Sequence, residues 1–185
     1  MKLLKSNYLT IFCFTVLFII NGCSSQLEKY RPTPETINEL KISNIKPLSI
    51  GTFSADSSVN NEYIGVRGNR FYSPYSGSFA RYIEESLRLE LLLAKKLDRN
   101  SNLKLEGILL KNYMSTSGYG EIDVTFTVSK DNIIVYKKNL TSQKKWEAHF
   151  EGASAFREIQ EIYKMLVSDL ILQLVKDPDF IMSTK

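Results

Sequence analysis

Glu121-Ile122-Asp123-Val124-Thr125-Phe126-Thr127-Val128-Ser129 alternates polar and apolar side chains without a break. Successive side chains of a strand point to opposite faces. Ile122, Val124, Phe126 and Val128 therefore share one face, and Glu121, Asp123, Thr125, Thr127 and Ser129 the other. Such a strand belongs in a sheet with one face on a core and one face in water. The rest of the chain must supply its neighbours and the helices that cover the apolar side.

The neighbours flank it directly. Downstream, Lys130-Asp131-Asn132 reads as a three-residue loop with Asn132 left-handed, which pairs Ser129 with Ile133, Phe126 with Tyr136 and Ile122 with Leu140. That strand is expected to run to about Phe150, with Trp146, Ala148 and Phe150 inward. Upstream, Ser115–Gly120 is a turn, preceded by a strand over Leu103–Met114. Its parity changes near Gly107: Leu103 and Leu105 lie on one side, Ile108, Leu110 and Met114 on the other. A bulge at Gly107 produces such a switch, as does burial on both faces. Leu48–Phe53 reads as a short first strand.

Two helices complete the set. From Ser78 to Leu97, Phe79, Tyr82, Ile83, Leu87, Leu91, Ala94 and Leu97 recur at helical spacing, with Arg81, Glu84, Glu85, Arg88, Lys95 and Lys96 between them. From Ser154 to Lys176 the stripe is Phe156, Ile159, Tyr163, Leu166, Leu170 and Leu174, and Asp177-Pro178 ends it. The expected fold is α+β: a four-stranded, mostly antiparallel sheet with two helices packed on one face, in the order strand-helix-strand-strand-strand-helix. It occupies residues 47–180 as a single domain, with 181–185 as a C-terminal tail. A chain that is 43% hydrophobic has enough apolar surface over that length for one core.

The N-terminus has a different character. Lys2 and Lys5 precede an uncharged run, Tyr8–Ile20, that ends in Ile20-Asn21-Gly22-Cys23. This is the layout of a secretory signal peptide. The run covers roughly 20 Å as a helix, short of the ~30 Å hydrocarbon core of a bilayer. Its last four residues resemble the bacterial lipobox, in which a small residue precedes an obligatory cysteine. That resemblance implies cleavage between Gly22 and Cys23, with residues 1–22 removed. It also implies a diacylglycerol on the Cys23 thiol and an acyl group such as palmitate on the new amino terminus. Two or more such chains make membrane retention effectively permanent.

Ser24 and Ser25, by similarity to lipoproteins of Gram-negative bacteria, give no signal for inner-membrane retention, which implies the periplasmic face of the outer membrane. Residues 23–46, polar and punctuated by Pro32 and Pro34, read as a lipid-anchored tether in which Thr33-Pro34-Glu35 starts a short helix. Cys13 and Cys23 are the two cysteines. One leaves with the leader and the other is acylated, so no thiol remains for disulfides, metals or catalysis.

The formal charge of +4 falls to +2 once Lys2 and Lys5 are removed. Lysines are mixed with acids along the chain, which argues against a nucleic-acid partner. His149 falls on an outward parity, and no nucleophile-elbow sequence accompanies it. One histidine and no free cysteine make a poor metal donor set. Gly118 and Gly120, like Gly65 and Gly68, lack the Lys-Ser/Thr ending of a phosphate loop. The carboxylate pairs Glu84-Glu85 and Glu121-Asp123 lie on wet faces, where charged surface is the better reading than acid-base chemistry. No catalytic residue and no cofactor is expected, and the chain is not read as an enzyme.

What remains is Tyr63 to Tyr75, which gathers Tyr63, Arg67, Arg70, Phe71, Tyr72 and Tyr75 into one long loop. Tyr and Arg are enriched where proteins bind partners, and loops on a rigid frame often carry function. Arg67, Arg70, Phe71, Tyr72 and Tyr75 are therefore candidate partner-binding residues. The alternative is that these aromatics close over the core as a lid.

Gly68-Asn69-Arg70-Phe71-Tyr72-Ser73-Pro74-Tyr75-Ser76-Gly77-Ser78-Phe79, with Tyr82-Ile83, the leucine-rich helix, Trp146 and Asp177-Pro178-Asp179-Phe180, resembles uncharacterised proteobacterial outer-membrane lipoproteins of the YajG-like type. The chain is more distantly similar to auxiliary lipoproteins of ABC-type lipid transporters and to lipoprotein activators of cell-wall synthases. These resemblances imply a small sheet covered by two helices and a role in binding partners. They transfer no catalytic residue. The expected function is that of a lipid-anchored periplasmic accessory protein that binds an envelope protein complex through the open sheet face or the Tyr63–Tyr75 loop. The alternative is a lipoprotein of an envelope transport system that holds a lipid or glycan in the helix-sheet crevice.

Overall fold

The computed structural model describes residues 24–66, 68–147 and 152–185. Its elements run β1 (Ser24–Gln26), α1 (Pro34–Ile42), β2 (Ser49–Ala55), β3 (Tyr63–Val66), β4 (Asn69–Tyr72), α2 (Phe79–Leu93), β5 (Leu103–Met114), β6 (Tyr119–Lys130), β7 (Ile133–Lys145), α3 (Gly152–Lys176) and α4 (Pro178–Ser183). The alternating stretch is β6, and Ile122, Val124, Phe126 and Val128 are each no more than 1% exposed. The main sheet has the order β2-β5-β6-β7. β5, β6 and β7 are antiparallel neighbours, and β2 joins β5 in parallel.

A parallel pair requires a crossover, which α2 supplies. α2 packs on β2 and β5, and α3 on β6 and β7. The two helices meet through Tyr163, which receives Phe79 and Tyr82 edge-on, both at 5.2 Å between ring centroids. The α+β fold with helices on one sheet face is thus as expected, and the sheet is mixed.

α2 starts at Ser78, whose hydroxyl accepts the Arg81 N–H at 3.1 Å. It ends before Leu97, the expected limit. Lys95 turns left-handed (φ 59°), and the N–H groups of Lys95 and Lys96 return to Leu92 and Leu91. That double closure satisfies the last carbonyls of the helix. Leu97 instead sits in a bridge beside Leu48.

Three local expectations are corrected. In β5 the parity does not switch at Gly107. Leu103, Leu105, Gly107 and Leu109 face the core in sequence, Ile108 is exposed, and the irregularity falls between Leu109 and Lys111. Gly107 keeps its place in the alternation because the Phe53 ring lies over it: a Cβ there would sit 2.3 Å from Phe53 Cε1. Overpacking of this kind costs typically 1–3 kcal/mol. Gly107→Ala is therefore expected to lower unfolding free energy by about 2 kcal/mol in a urea melt. Gly65→Ala, whose Cβ meets only Tyr63 Cε2 at 4.0 Å, should change it by about 0.5 kcal/mol or less.

The β6–β7 connection is also tighter than expected. Lys130 pairs with Ile133 across a two-residue turn in which Asp131 and Asn132 both have positive φ, the type I′ geometry that suits strand twist. A shift between Val128 and Ser129 then restores the parity, so that Val128 opposes Tyr136, Val124 opposes Leu140 and Phe126 opposes Lys138. Tyr136 and Leu140 remain on the core side, as the hydrophobic pattern demands. β7 stops at Lys145, and Trp146 packs half-buried on the core. Ala148 and Phe150 lie outside the described residues.

The third correction concerns the expected tether. Leu27, Tyr30, Leu40 and Ile45 are buried, and α1 packs on α3 and α2. Ser24–Lys46 is part of the folded body. Four buried apolar side chains spread through polar sequence help to hold it there.

Candidate functional site

β1, β4 and β3 form a second, small sheet in that order, with β1 parallel and β3 antiparallel to β4. The expected loop from Tyr63 to Tyr75 is therefore largely a hairpin, turned at Gly68 with φ 74°. Its register sorts the side chains. Ile64, Val66 and Phe71 point into the core, each no more than 4% exposed. Phe71 stacks on Phe156 in the early turns of α3 at 5.5 Å. The other face carries Ser24 and Gln26 from β1, Arg70 and Tyr72 from β4, and Gly65 and Tyr63 from β3.

The five candidate contact residues separate accordingly. Phe71 is core, and Tyr75 packs edge-on against Tyr82 at 5.4 Å. Both rings pack on the folded body. Arg70 is exposed, its guanidinium carbon 4.7 Å from the centre of the Tyr63 ring, and Tyr72 lies 6.0 Å from Tyr63. Such a cation–π contact at an exposed site stabilises by about 0.5–1 kcal/mol. Arg67, Gly22, Cys23 and His149 lie outside the described residues.

The second surface is the outer face of the main sheet, on which no helix of the described residues packs. Near the Tyr119 end of β6 Glu121 accepts hydrogen bonds from Lys111 Nζ at 2.7 Å, the Tyr119 hydroxyl at 2.7 Å and Gln143 Nε2 at 3.3 Å. The bond from Lys111, then that from Tyr119, hold the Glu121 carboxyl below the usual carboxylate range. Lys111 is raised by the same bond. Asp123 accepts from Thr141 Oγ1 at 3.1 Å and Asn139 Nδ2 at 3.4 Å. Both carboxylates are thus fixed acceptors in a polar ladder across three strands. Beside them Ile108, Leu110 and Tyr113 are 44%, 36% and 47% exposed.

A groove of about 560 Å³ runs between the edge strand β7 and α3, lined by Leu140, Ser142, Gln143, Asp169, Gln173 and Lys176 among others. Its walls also close off the strand edge. Gln173 Nε2 donates to the Thr141 carbonyl at 3.2 Å, and Lys138 Nζ pairs with Asp177 at 2.6 Å and Asp179 at 3.2 Å. Side chains of this kind blunt an otherwise open edge.

Sequence reasoning missed Glu90. It is fully buried on α2, where its Oε1 accepts the Tyr30 hydroxyl at 2.7 Å and the Thr33 N–H at 2.9 Å. Its Oε2 has no hydrogen-bond partner. Burial raises the Glu90 carboxyl, and burial followed by the nearby Glu90 raises the Tyr30 hydroxyl. The signal was present: Glu90 stands three residues after Leu87 and seven after Ile83, on the apolar stripe of its helix.

No helix of the described residues is long and apolar enough to cross a membrane. No family model matches the sequence, and no curated protein does. Among solved structures, protein XCC0632 from Xanthomonas campestris, which bears the family label DUF330, is similar with a TM-score of 0.58 at 14% identity, over 82% of this chain and 91% of that one. A minor lipoprotein from Acinetobacter baumannii matches with a TM-score of 0.44 at 14% identity, over 73% of this chain and 93% of that one. At that identity, what the chain shares with XCC0632 is its fold.

Proposed function

We propose that this protein is a lipid-anchored accessory of the bacterial cell envelope. In this reading it is held at the periplasmic face of the outer membrane through Cys23, within the YajG-like type of lipoprotein, and binds a partner protein complex without catalysing a reaction. The observation that carries the reading is the outer face of the main sheet, where exposed Ile108, Leu110 and Tyr113 adjoin an ordered polar ladder. Apolar side chains rimmed by fixed polar groups are the usual make-up of a protein contact. The ligand-binding reading has less support. The space between sheet and helices is filled by Phe126, Tyr82, Tyr163 and Leu166, and the groove beside β7 mixes Leu140 and Leu172 with polar and charged side chains.

Crosslinking in living cells tests this. A photo-crosslinking residue at Thr125 is expected to yield one discrete envelope-protein adduct. Ile108→Asp with Leu110→Asp should reduce that adduct ten-fold or more, because charges replace apolar contact, while exposed substitutions leave unfolding free energy within about 0.5 kcal/mol each. An undiminished adduct in the double variant would refute the sheet-face reading. A lipid or glycan retained by the purified protein would favour the ligand reading instead.

A further inference from the structure

The chain has almost no slack between its expected lipid anchor and its fold. Ser24 is already the first residue of β1 and lies opposite Arg70 on β4. Cys23 is one peptide bond earlier, about 3.8 Å between Cα atoms, and neighbouring strands stand about 4.8 Å apart. A lipid on Cys23 therefore leaves the chain within about 10 Å of Arg70. A disordered Ser24–Lys46 would instead let the domain roam about 25 Å from its anchor.

The start of the fold is also well fastened. The Leu27 N–H donates to the Tyr72 carbonyl at 2.9 Å, the Glu28 N–H to Gln160 Oε1 at 2.6 Å, and the Tyr82 hydroxyl to the Glu28 carbonyl at 3.1 Å. Glu28 further pairs with Lys164 at 3.0 Å.

From this we propose that the outer face of the small sheet, formed by Ser24, Gln26, Tyr63, Arg70 and Tyr72, docks on the phospholipid headgroups of the membrane that holds Cys23. The proposal rests on the lipid-anchored reading above and adds an orientation to it. Its chemistry is that of the headgroup layer. Tyrosine presents an apolar ring with a polar tip, and a guanidinium offers a fork of donors that matches a phosphate. Among the described residues no carboxylate forms an ion pair with Arg70, which leans on Tyr63 and has Gly65 as its cross-strand neighbour. Among the described residues the cation thus has no anionic partner. The other face of the same hairpin is committed to the core through Ile64, Val66 and Phe71, so the outward face cannot turn inward.

The arrangement fixes the rest of the molecule. The hairpin packs on the first turns of α3, which follow the C-terminal end of β7. The Asp131-Asn132 turn is at the other end of the main sheet, about 40 Å away along twelve residues of β6. That end then projects into the periplasm.

The test uses the full-length protein purified with its lipid and reconstituted in vesicles of phosphatidylethanolamine and phosphatidylglycerol containing a headgroup nitroxide lipid. With Cys13 removed and Cys23 acylated, an introduced cysteine is the one free thiol, so a small bimane can be placed at Gly65→Cys or, separately, at Asn132→Cys. β3 is the strand farthest from the anchored β1, so tethering alone does not bring Gly65 to the surface.

The bimane at residue 65 is expected to be quenched at least three-fold more than that at residue 132. Adding Arg70→Glu should remove the difference while mass spectrometry still finds lipid on Cys23. Equal quenching at the two positions in lipid-bearing protein, or no effect of Arg70→Glu, overturns docking and leaves the anchor intact. Docking absent from pure vesicles, with residue 65 crosslinking to an envelope protein in cells, overturns it in favour of a protein contact. Absence of lipid on Cys23 overturns the anchored reading and this proposal together.

Discussion

Glu90→Ala is expected to lower the unfolding free energy by about 3 kcal/mol and to expose Ser24–Lys46 to protease before the rest of the chain. Glu90 Oε1 is the acceptor for two groups of that segment, the Tyr30 hydroxyl and the Thr33 N–H. Thr33 is also the residue that caps α1. Alanine would leave both donors buried without an acceptor, at about 1–3 kcal/mol each, and would open a gap between α1 and α2. Set against a typical total of 5–15 kcal/mol, the loss is large. A urea melt and limited proteolysis measure it. A loss below about 1 kcal/mol would mean that Leu27, Leu40 and Ile45 hold the segment unaided.

The same residue gives a pH dependence of defined sign. Burial raises the Glu90 carboxyl above its unfolded value. Its stabilising contribution is then complete below the unfolded value and is lost as pH rises through the raised folded value, where a buried oxygen without a partner must become charged. Glu90→Gln keeps the Oε1 acceptor and removes the titration. Across melts from pH 4 to 8, the wild type should lose stability relative to Glu90→Gln as pH rises. Glu121, Glu28 and Asp56 are all lowered and work in the opposite direction, but they are common to both proteins and cancel in the difference. Parallel curves would show that Glu90 does not titrate in that range.

Glu90 also marks the boundary of what sequence can reveal. Elements that bury one face over many residues declare themselves: nine alternating residues in β6, and stripes of five apolar positions in α2 and six in α3. The small sheet does not. β1 is a three-residue strand, and β3 and β4 have four residues each, too few for a period to be read. Parallel pairing of β1 with β4 joins residues more than forty positions apart and leaves no local trace.

Gly107 misled for the same reason, since the ring that fills its space comes from Phe53 on another strand. The Tyr63–Tyr75 stretch was correctly singled out as unusual in composition. Only the register could separate Phe71, which faces the core, from Arg70, which does not. The turn at Asp131-Asn132 was placed correctly, but its length was not. A bulge in β7, where Ile134 pairs with Ser129 but Tyr136 with Val128, restores the parity that a three-residue loop would have given, so the hydrophobic pattern fits both solutions.

In the anchored reading, Cys23→Ser is expected to shift the protein from a membrane fraction that resists carbonate extraction to the soluble periplasmic fraction, or to leave it uncleaved and larger by the leader. Labelled palmitate should no longer be incorporated. The effect should be close to all-or-none, because each buried methylene contributes about 0.8 kcal/mol and two or more acyl chains make release negligible. The docking face does not substitute for them. A single basic residue near an anionic surface contributes only about 1 kcal/mol, which at cellular dilution retains little protein. The fold should survive, since β1 pairs with β4 through Ser24–Gln26 and the bonds of Leu27 and Glu28 fasten the chain just after it, none of which needs the lipid on Cys23. A soluble variant with an unchanged melting temperature would therefore separate attachment from folding. Unchanged processing and unchanged membrane attachment in Cys23→Ser would instead require a different anchor, and the short path from residue 23 to Arg70 would lose its meaning.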